Sequence, residues 1–254
     1  DLHSFPTRRS SDLHIGYSGG EPVFEFDTAH RDAELWFGRS RGLDDGWVRR
    51  MRFGMRFDEY RFSQLTDSDI GAAGEVPPDR RLAYPWISFE WLEDGYAKTH
   101  DLDQIGRTED MNLGLSASLL AGAATQALGS DRNALIFEGA AGWSASPRAE
   151  YLLMLQGAFG SRLESQGLRN SEATLAAHSY WRWSSRWMSM AALATRFTRH
   201  LDEDRQILLG GDNGLRGYPL RFADGTSSAL LTLEHRLFTI WRSEERRVGK
   251  ECRS

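Results

Sequence analysis

WVRRMRFGMRFDEYRF, residues 47–62, alternates with a period of two. Trp47, Met51, Phe53, Met55 and Phe57 share one face, with Arg49 the single exception. Arg50, Arg52, Gly54, Arg56 and Asp58 share the other. Successive side chains of a strand point to opposite faces, so this stretch predicts a strand with one apolar and one charged face. Wound as a helix, the same residues scatter arginine around the whole circumference. In a soluble sandwich the arginine face meets solvent. In a membrane-spanning barrel it meets a wet lumen, and the apolar face meets lipid.

The same rhythm continues on both sides. Residues 83–91 set Ile87, Phe89 and Trp91 against Ser88 and Glu90. Residues 111–123 set Met111, Leu113, Leu115, Ala117 and Leu119 against Asn112, Gly114, Ser116 and Ser118. Residues 173–183 set Leu175, Ala177, Trp181 and Trp183 against Thr174, His178, Tyr180 and Arg182. Residues 33–41, 134–143, 151–159, 187–197 and 226–241 read as further strands, and 23–27 is an additional candidate. Segments 43–46, 144–147 and 184–186 read as tight hairpins, while 66–80, 92–110 and 201–225 are longer and polar. Short turns alternating with long loops are what a transmembrane barrel shows, although residues 126–133 are short for a long-loop position. Trp181, Trp183 and Trp187 crowd one turn. Trp36, Trp47 and Trp143 also fall near predicted turns, as an aromatic girdle requires.

Composition narrows the class. No run of eighteen apolar residues occurs, so no transmembrane helix is expected; transmembrane strands give a weaker signal and remain open. The formal charge is −5. Residues 242–254 carry five basic and three acidic side chains and residues 1–13 balance, which leaves −7 for the middle. That argues against a nucleic-acid partner. The only cysteine is Cys252, so a disulfide framework and Cys-based metal sites are excluded.

One loop departs from the rhythm. LLGGDNGLRGYPLRFADG, residues 208–225, places Gly210, Gly211 and Gly214 ahead of Leu215-Arg216-Gly217-Tyr218. So many glycines mark a backbone that bends tightly or approaches other chain closely. The motif resembles the arginine loop of the outer-membrane barrel superfamily that includes BamA, TamA and the two-partner-secretion transporters. The resemblance is strongest over residues 206–241 and looser back to residue 33. It implies an all-β, antiparallel transmembrane β-barrel fragment, about strands 4–12 of a 16-stranded barrel, forming an open curved sheet. The arginine loop would fold into the lumen and direct Arg216 at Glu234 on the next strand, whose other face carries Leu231, Leu233 and Leu237. The implied function is insertion or translocation of polypeptides at the bacterial outer membrane, without covalent chemistry. The implied partners are outer-membrane lipid, polypeptide clients and, in the parent, POTRA modules or lipoproteins. A wall fragment with open edges is not expected to function alone.

The ends read differently. Residues 3–13 and 242–254 resemble translated sequencing-adapter DNA, so 1–13 and 242–254 are set aside as tails, expected to be unpaired, and 14–241 is taken as the barrel fragment. Other signals are weaker. The glycines at 210–214 lack the Lys-Ser/Thr and helix of a phosphate loop. Gly16-Tyr17-Ser18-Gly19-Gly20 matches the Gly-x-Ser-x-Gly pattern without its strand–helix setting. The histidines show no metal spacing. Asp67, Asp69, Asp101 and Asp103 lie in loops without the EF-hand pattern. No metal, cofactor or catalytic residue is expected. Two alternatives share the alternation: a passive structural barrel, and the C-terminal barrel anchor of an outer-membrane enzyme such as a patatin-like phospholipase.

Overall fold

The computed structural model describes residues 2–4, 8–64, 76–100 and 108–238. The chain is all-β, 76% strand, with a large antiparallel sheet that does not close. Its wall is built from β2 (Arg8–Ser18), β3 (Glu21–Asp44), β4 (Trp47–Gln64), β5 (Arg80–Glu93), β8 (Gly114–Ala124), β9 (Ala134–Arg148), β10 (Tyr151–Glu164), β11 (Gly167–Arg182), β12 (Trp187–Arg199) and β15 (Ser227–Leu237). They pair in that order. β1 (Leu2–Ser4) pairs with β3 beyond the end of β2, on the same edge. Two small hairpins lie off the wall: β6 (Tyr96–His100) with β7 (Thr108–Asn112), and β13 (Ile207–Leu209) with β14 (Ala223–Gly225).

Cross-strand register fixes which side chains share a face, because directly opposed residues point the same way. One row runs Met51, Phe89, Leu119, Gly139, Phe159, Ala173, Phe197. The next face carries Arg52, Ser88, Leu120, Glu138, Gly160, Glu172 and Thr198. The first is convex and apolar, and the second is concave. The curvature is evident in the connector between β12 and β15, which touches β2, β5, β10 and β11 from inside. Met51, Phe53 and Met55 are exposed on the convex side, and Arg52 and Arg56 line the concavity. Leu231, Leu233 and Leu237 are likewise exposed outward.

Several expectations need correction. The concave face is not uniformly polar. Leu82, Tyr84 and Trp86 on β5 meet Ala124, Ala134 and Ile136 in a buried cluster, with Trp36 and Leu120 against it. Trp36 therefore belongs to the inner wall, with the Arg52 guanidinium 5.6 Å above its ring, and not to a girdle at a turn. The strand expected over residues 111–123 breaks at Leu113, just before Gly114. Met111 lies on β7, and both Met111 and Leu113 pack beneath the concavity against the buried Leu152, Tyr180 and Met188. Residues 144–147 are still in β9; the hairpin turn is one step later, at Ala149–Glu150. The long 92–110 connection leaves from the same end as the short turns at 45–46 and 184–186, so turn length does not alternate cleanly.

The N-terminal tail is not unpaired. Arg8–Leu13 run along β3 from Asp32 to Asp27, joined to it through a turn in which Gly19 and Gly20 adopt φ 61° and 88°. The tight turn lays the preceding residues beside β3, and strand pairing uses backbone groups that any extended segment supplies. The expectation of an unpaired tail at that end is thereby overturned, and backbone pairing alone says nothing of where the segment comes from. Residues 243–254 lie outside the described residues.

Candidate site on the concave face

The candidate site is built from the connector that leaves β12 at His200 and returns at β15. Its distal part is the β13–β14 hairpin carrying the arginine loop. There Tyr218 N–H donates to the Leu215 carbonyl at 3.0 Å, and Gly217 at the third turn position has φ 91°. A turn of this kind requires positive φ at that place, which explains glycine after Arg216. At Gly210 the return strand passes so close that a Cβ would lie 2.3 Å from the Arg221 nitrogen. Asn213 ties the loop together, accepting from Gly210 N–H and donating to the Leu208 carbonyl, both at 2.6 Å. The loop meets the wall where Gly214 packs onto Leu230 of β15.

The expected Arg216–Glu234 pair is not formed. Arg216 is exposed and makes no ion pair or side-chain hydrogen bond among the described residues. Glu234 is instead held by Arg236, at 2.7 Å, two residues along the same face. Geometry explains the difference. The loop touches β15 at Leu230, four residues from Glu234, or about 13 Å along a strand. Arg236 reaches the carboxylate without any loop having to close. Tyr218 is exposed as well, its ring 5.1 Å from that of Phe222.

What holds the connector is its base, residues 202–206. Arg162 of β10 donates to both Asp202 carboxylate oxygens at 2.7 and 2.8 Å, and through Nε to Glu164 at 2.9 Å. Arg80 of β5 reaches Asp202 at 3.0 Å and both oxygens of Asp204 at 3.0 and 3.2 Å, with its guanidinium over the Tyr60 ring. Both arginines are buried, Arg80 at 8% and Arg162 at 6% exposure, so these pairs are sheltered from water. Arg205 turns the other way, to Asn170 and Glu172 of β11. Gln206 binds the Tyr17 backbone, accepting from its N–H and donating to its carbonyl. Farther on, Arg221 donates to the Tyr17 hydroxyl and covers its ring, and Asp224 accepts from Gly19 N–H. One short acidic–polar segment thus spans the concavity from β11 to β2. Below it, Trp36, Arg52, Tyr84 and Glu138 line an open cavity of about 640 Å³.

The sequence pattern does not reveal these anchors, because the strand it marks over 151–159 ends before Arg162 and Arg80 falls in the loop expected over 66–80, whereas β10 runs to Glu164 and β5 begins at Arg80. Extended by period two, both arginines fall on the concave face, opposite the acids of Leu201-Asp202-Glu203-Asp204. Burial pushes the Asp202 carboxyl up. The Arg162 hydrogen bonds and the charge of Arg80 outweigh burial and hold it below the usual carboxylate range. A depressed folded value adds stability above the unfolded value near 3.9, lost as pH falls through the folded value. Protease cleavage within 200–226 is therefore expected to stay constant from about pH 8 to pH 5 and to rise only below about pH 4. A rise centred near neutrality would contradict this account.

The convex face offers one catalytic-looking pair. Ser189 Oγ lies 2.9 Å from His235 Nδ1 and accepts from the Trp183 indole at 2.8 Å. No carboxylate orients His235 among the described residues, and Trp187 stacks on its ring, so the group reads as part of an aromatic cluster. No metal-binding group of His, Cys, Asp or Glu occurs among the described residues. No family model matches the chain, and no curated protein or solved structure matches it significantly.

Proposed function

We propose that this chain is a wall segment of a bacterial outer-membrane β-barrel whose parent inserts or translocates polypeptides. The observation that supports a membrane setting most strongly is the convex face. Leu35, Phe53, Phe89, Leu119, Phe137, Phe159, Leu175, Leu193 and Leu233 are all exposed there, spread over β3 to β15. Soluble monomers rarely expose a contiguous apolar patch beyond a few hundred Å². An alternating wall with its apolar side out is what lipid requires. At the short-turn end the same face carries Trp143, Trp181, Trp183 and Trp187, the first two rings of the turn stacked at 4.6 Å, in the manner of an interfacial girdle.

The polypeptide-handling part of the reading rests on the Leu215–Tyr218 motif and on a connector that crosses the concavity. A wall braced by an inner loop needs no cofactor and no covalent step. The test is genetic. In the intact parent, Arg216→Ala is expected to impair barrel assembly or client export, measured by surface levels of client protein. Normal assembly and export with Arg216→Ala would reduce the reading to a passive barrel.

A further inference from the structure

Most arginines of β3 and β4 have carboxylate company. Arg31 and Arg61 share Glu59, Arg50 and Arg52 share Glu90, and Arg56 lies in the field of Asp58 and Glu34. Arg39, Arg41 and Arg49 do not. All three are exposed, and none makes an ion pair or side-chain hydrogen bond among the described residues. They are also on the convex face. Arg39 opposes Met51, and Arg41 directly opposes Arg49, which in turn opposes Trp91 on β5. Like charges placed directly across a ladder repel, so this arrangement lacks its counter-charge. The nearby acids do not supply it: Asp44 and Asp45 sit in the hairpin without an ion pair, and Glu93 accepts from Leu115 N–H at 2.7 Å.

Position says which anion suits these arginines. Arg41 and Arg49 stand at the short-turn end beside Trp47 and Trp91, and Arg39 stands level with Met51, where the outward run Met51, Phe53, Met55 and Phe57 begins. Where an apolar belt meets its aromatic rim, lipid phosphates lie level with the protein, and long basic side chains reach them. We infer that Arg39, Arg41 and Arg49 form a binding site for the phosphate of an anionic phospholipid whose acyl chains lie along Met51 and Phe53. A guanidinium suits phosphate because its donors are fixed in a planar fork. The inference rests on the membrane reading above, since only in a bilayer is a lipid phosphate held at that level.

The experiment is native mass spectrometry of the whole chain, extracted from vesicles containing both phosphatidylglycerol and phosphatidylcholine. Phosphatidylglycerol is expected to be retained over phosphatidylcholine by at least about five-fold, the factor one basic residue near a membrane contributes. The preference should fall with added salt and disappear in the triple variant Arg39→Gln, Arg41→Gln, Arg49→Gln. It should persist in Arg61→Gln, at the other end of β4. Excess inorganic phosphate should not displace the lipid, whereas displacement would show a free-anion site and overturn the proposal. Equal retention of both lipids, or an unchanged preference in the triple variant, would also overturn it. If the triple variant does not fold, a salt-independent preference in the unmodified chain has the same force. Failure of the membrane reading looks different: the chain would stay soluble without detergent and carry neither lipid.

Discussion

Replacing Arg162 by alanine is expected to release the connector from the wall. The side chain is 6% exposed and donates twice to Asp202 and once to Glu164. Its removal leaves two sheltered carboxylates facing each other without their main cation. Breaking a buried pair from one side typically costs about 3–5 kcal/mol, because the remaining charge is uncompensated. Arg80 still reaches Asp202 at 3.0 Å, which places the expected loss toward the lower end. Two readouts separate a local from a global effect. Protease sites in residues 200–226 should open, and the unfolding midpoint should fall. In a double-mutant cycle with Asp202→Asn the two losses should overlap by more than about 0.5 kcal/mol, the usual limit for independent sites. An unchanged cleavage pattern together with additive losses would show that the base of the connector is held some other way.

The second large effect lies on the opposite face. Leu193 is at the middle of β12, between Trp187 and Arg199, and is 41% exposed on the convex side. In a soluble protein an exposed leucine changed to arginine is close to neutral, within about 0.5 kcal/mol. In a barrel wall the same change puts a charge near the bilayer midplane and costs about 2–4 kcal/mol, falling to about 0–1 near the interface. Leu193→Arg is therefore expected to destabilise the chain in vesicles strongly, and Trp187→Arg much less. Unfolding titrations in lipid give both numbers. Equal, small effects at the two depths would remove the main support for a membrane setting.

How much of this was legible in the sequence depended on where period two ran cleanly. The wall strands from β4 onward, their inside–outside assignment and the hairpins within 43–46 and 184–186 follow from alternation, because one residue of slip inverts every side chain, whereas β2 and the full length of β3 do not. Strand ends were less legible. Polar residues such as Arg80, Arg162 and Glu164 continue a strand without an apolar partner to mark it, so the strands were drawn short and the anchors lost. Trp36 was misread because tryptophan near a predicted end resembles a girdle residue. Its inner-face parity, shared with Gly38 and Glu34, carried the better information. The Arg216–Glu234 pairing failed for another reason. Motif and strand were each recognisable, but whether two segments meet depends on how far down the wall a loop reaches, and no local pattern encodes that distance.

The connector's anchors also set an order of events. Nearly every ladder of the wall joins strands that follow each other in the chain, and such hairpins close quickly because little chain must be restrained. The links made by the connector are of another kind. Asp204 meets Arg80 across 124 residues, Gln206 meets Tyr17 across 189, and Asp224 meets Gly19 across 205. Their closure costs the most entropy and yields nothing until β2, β5 and β10 are already in place. The wall would thus zip hairpin by hairpin, and the connector would latch last, once the sheet has curved far enough to bring its first and later strands within one segment's reach.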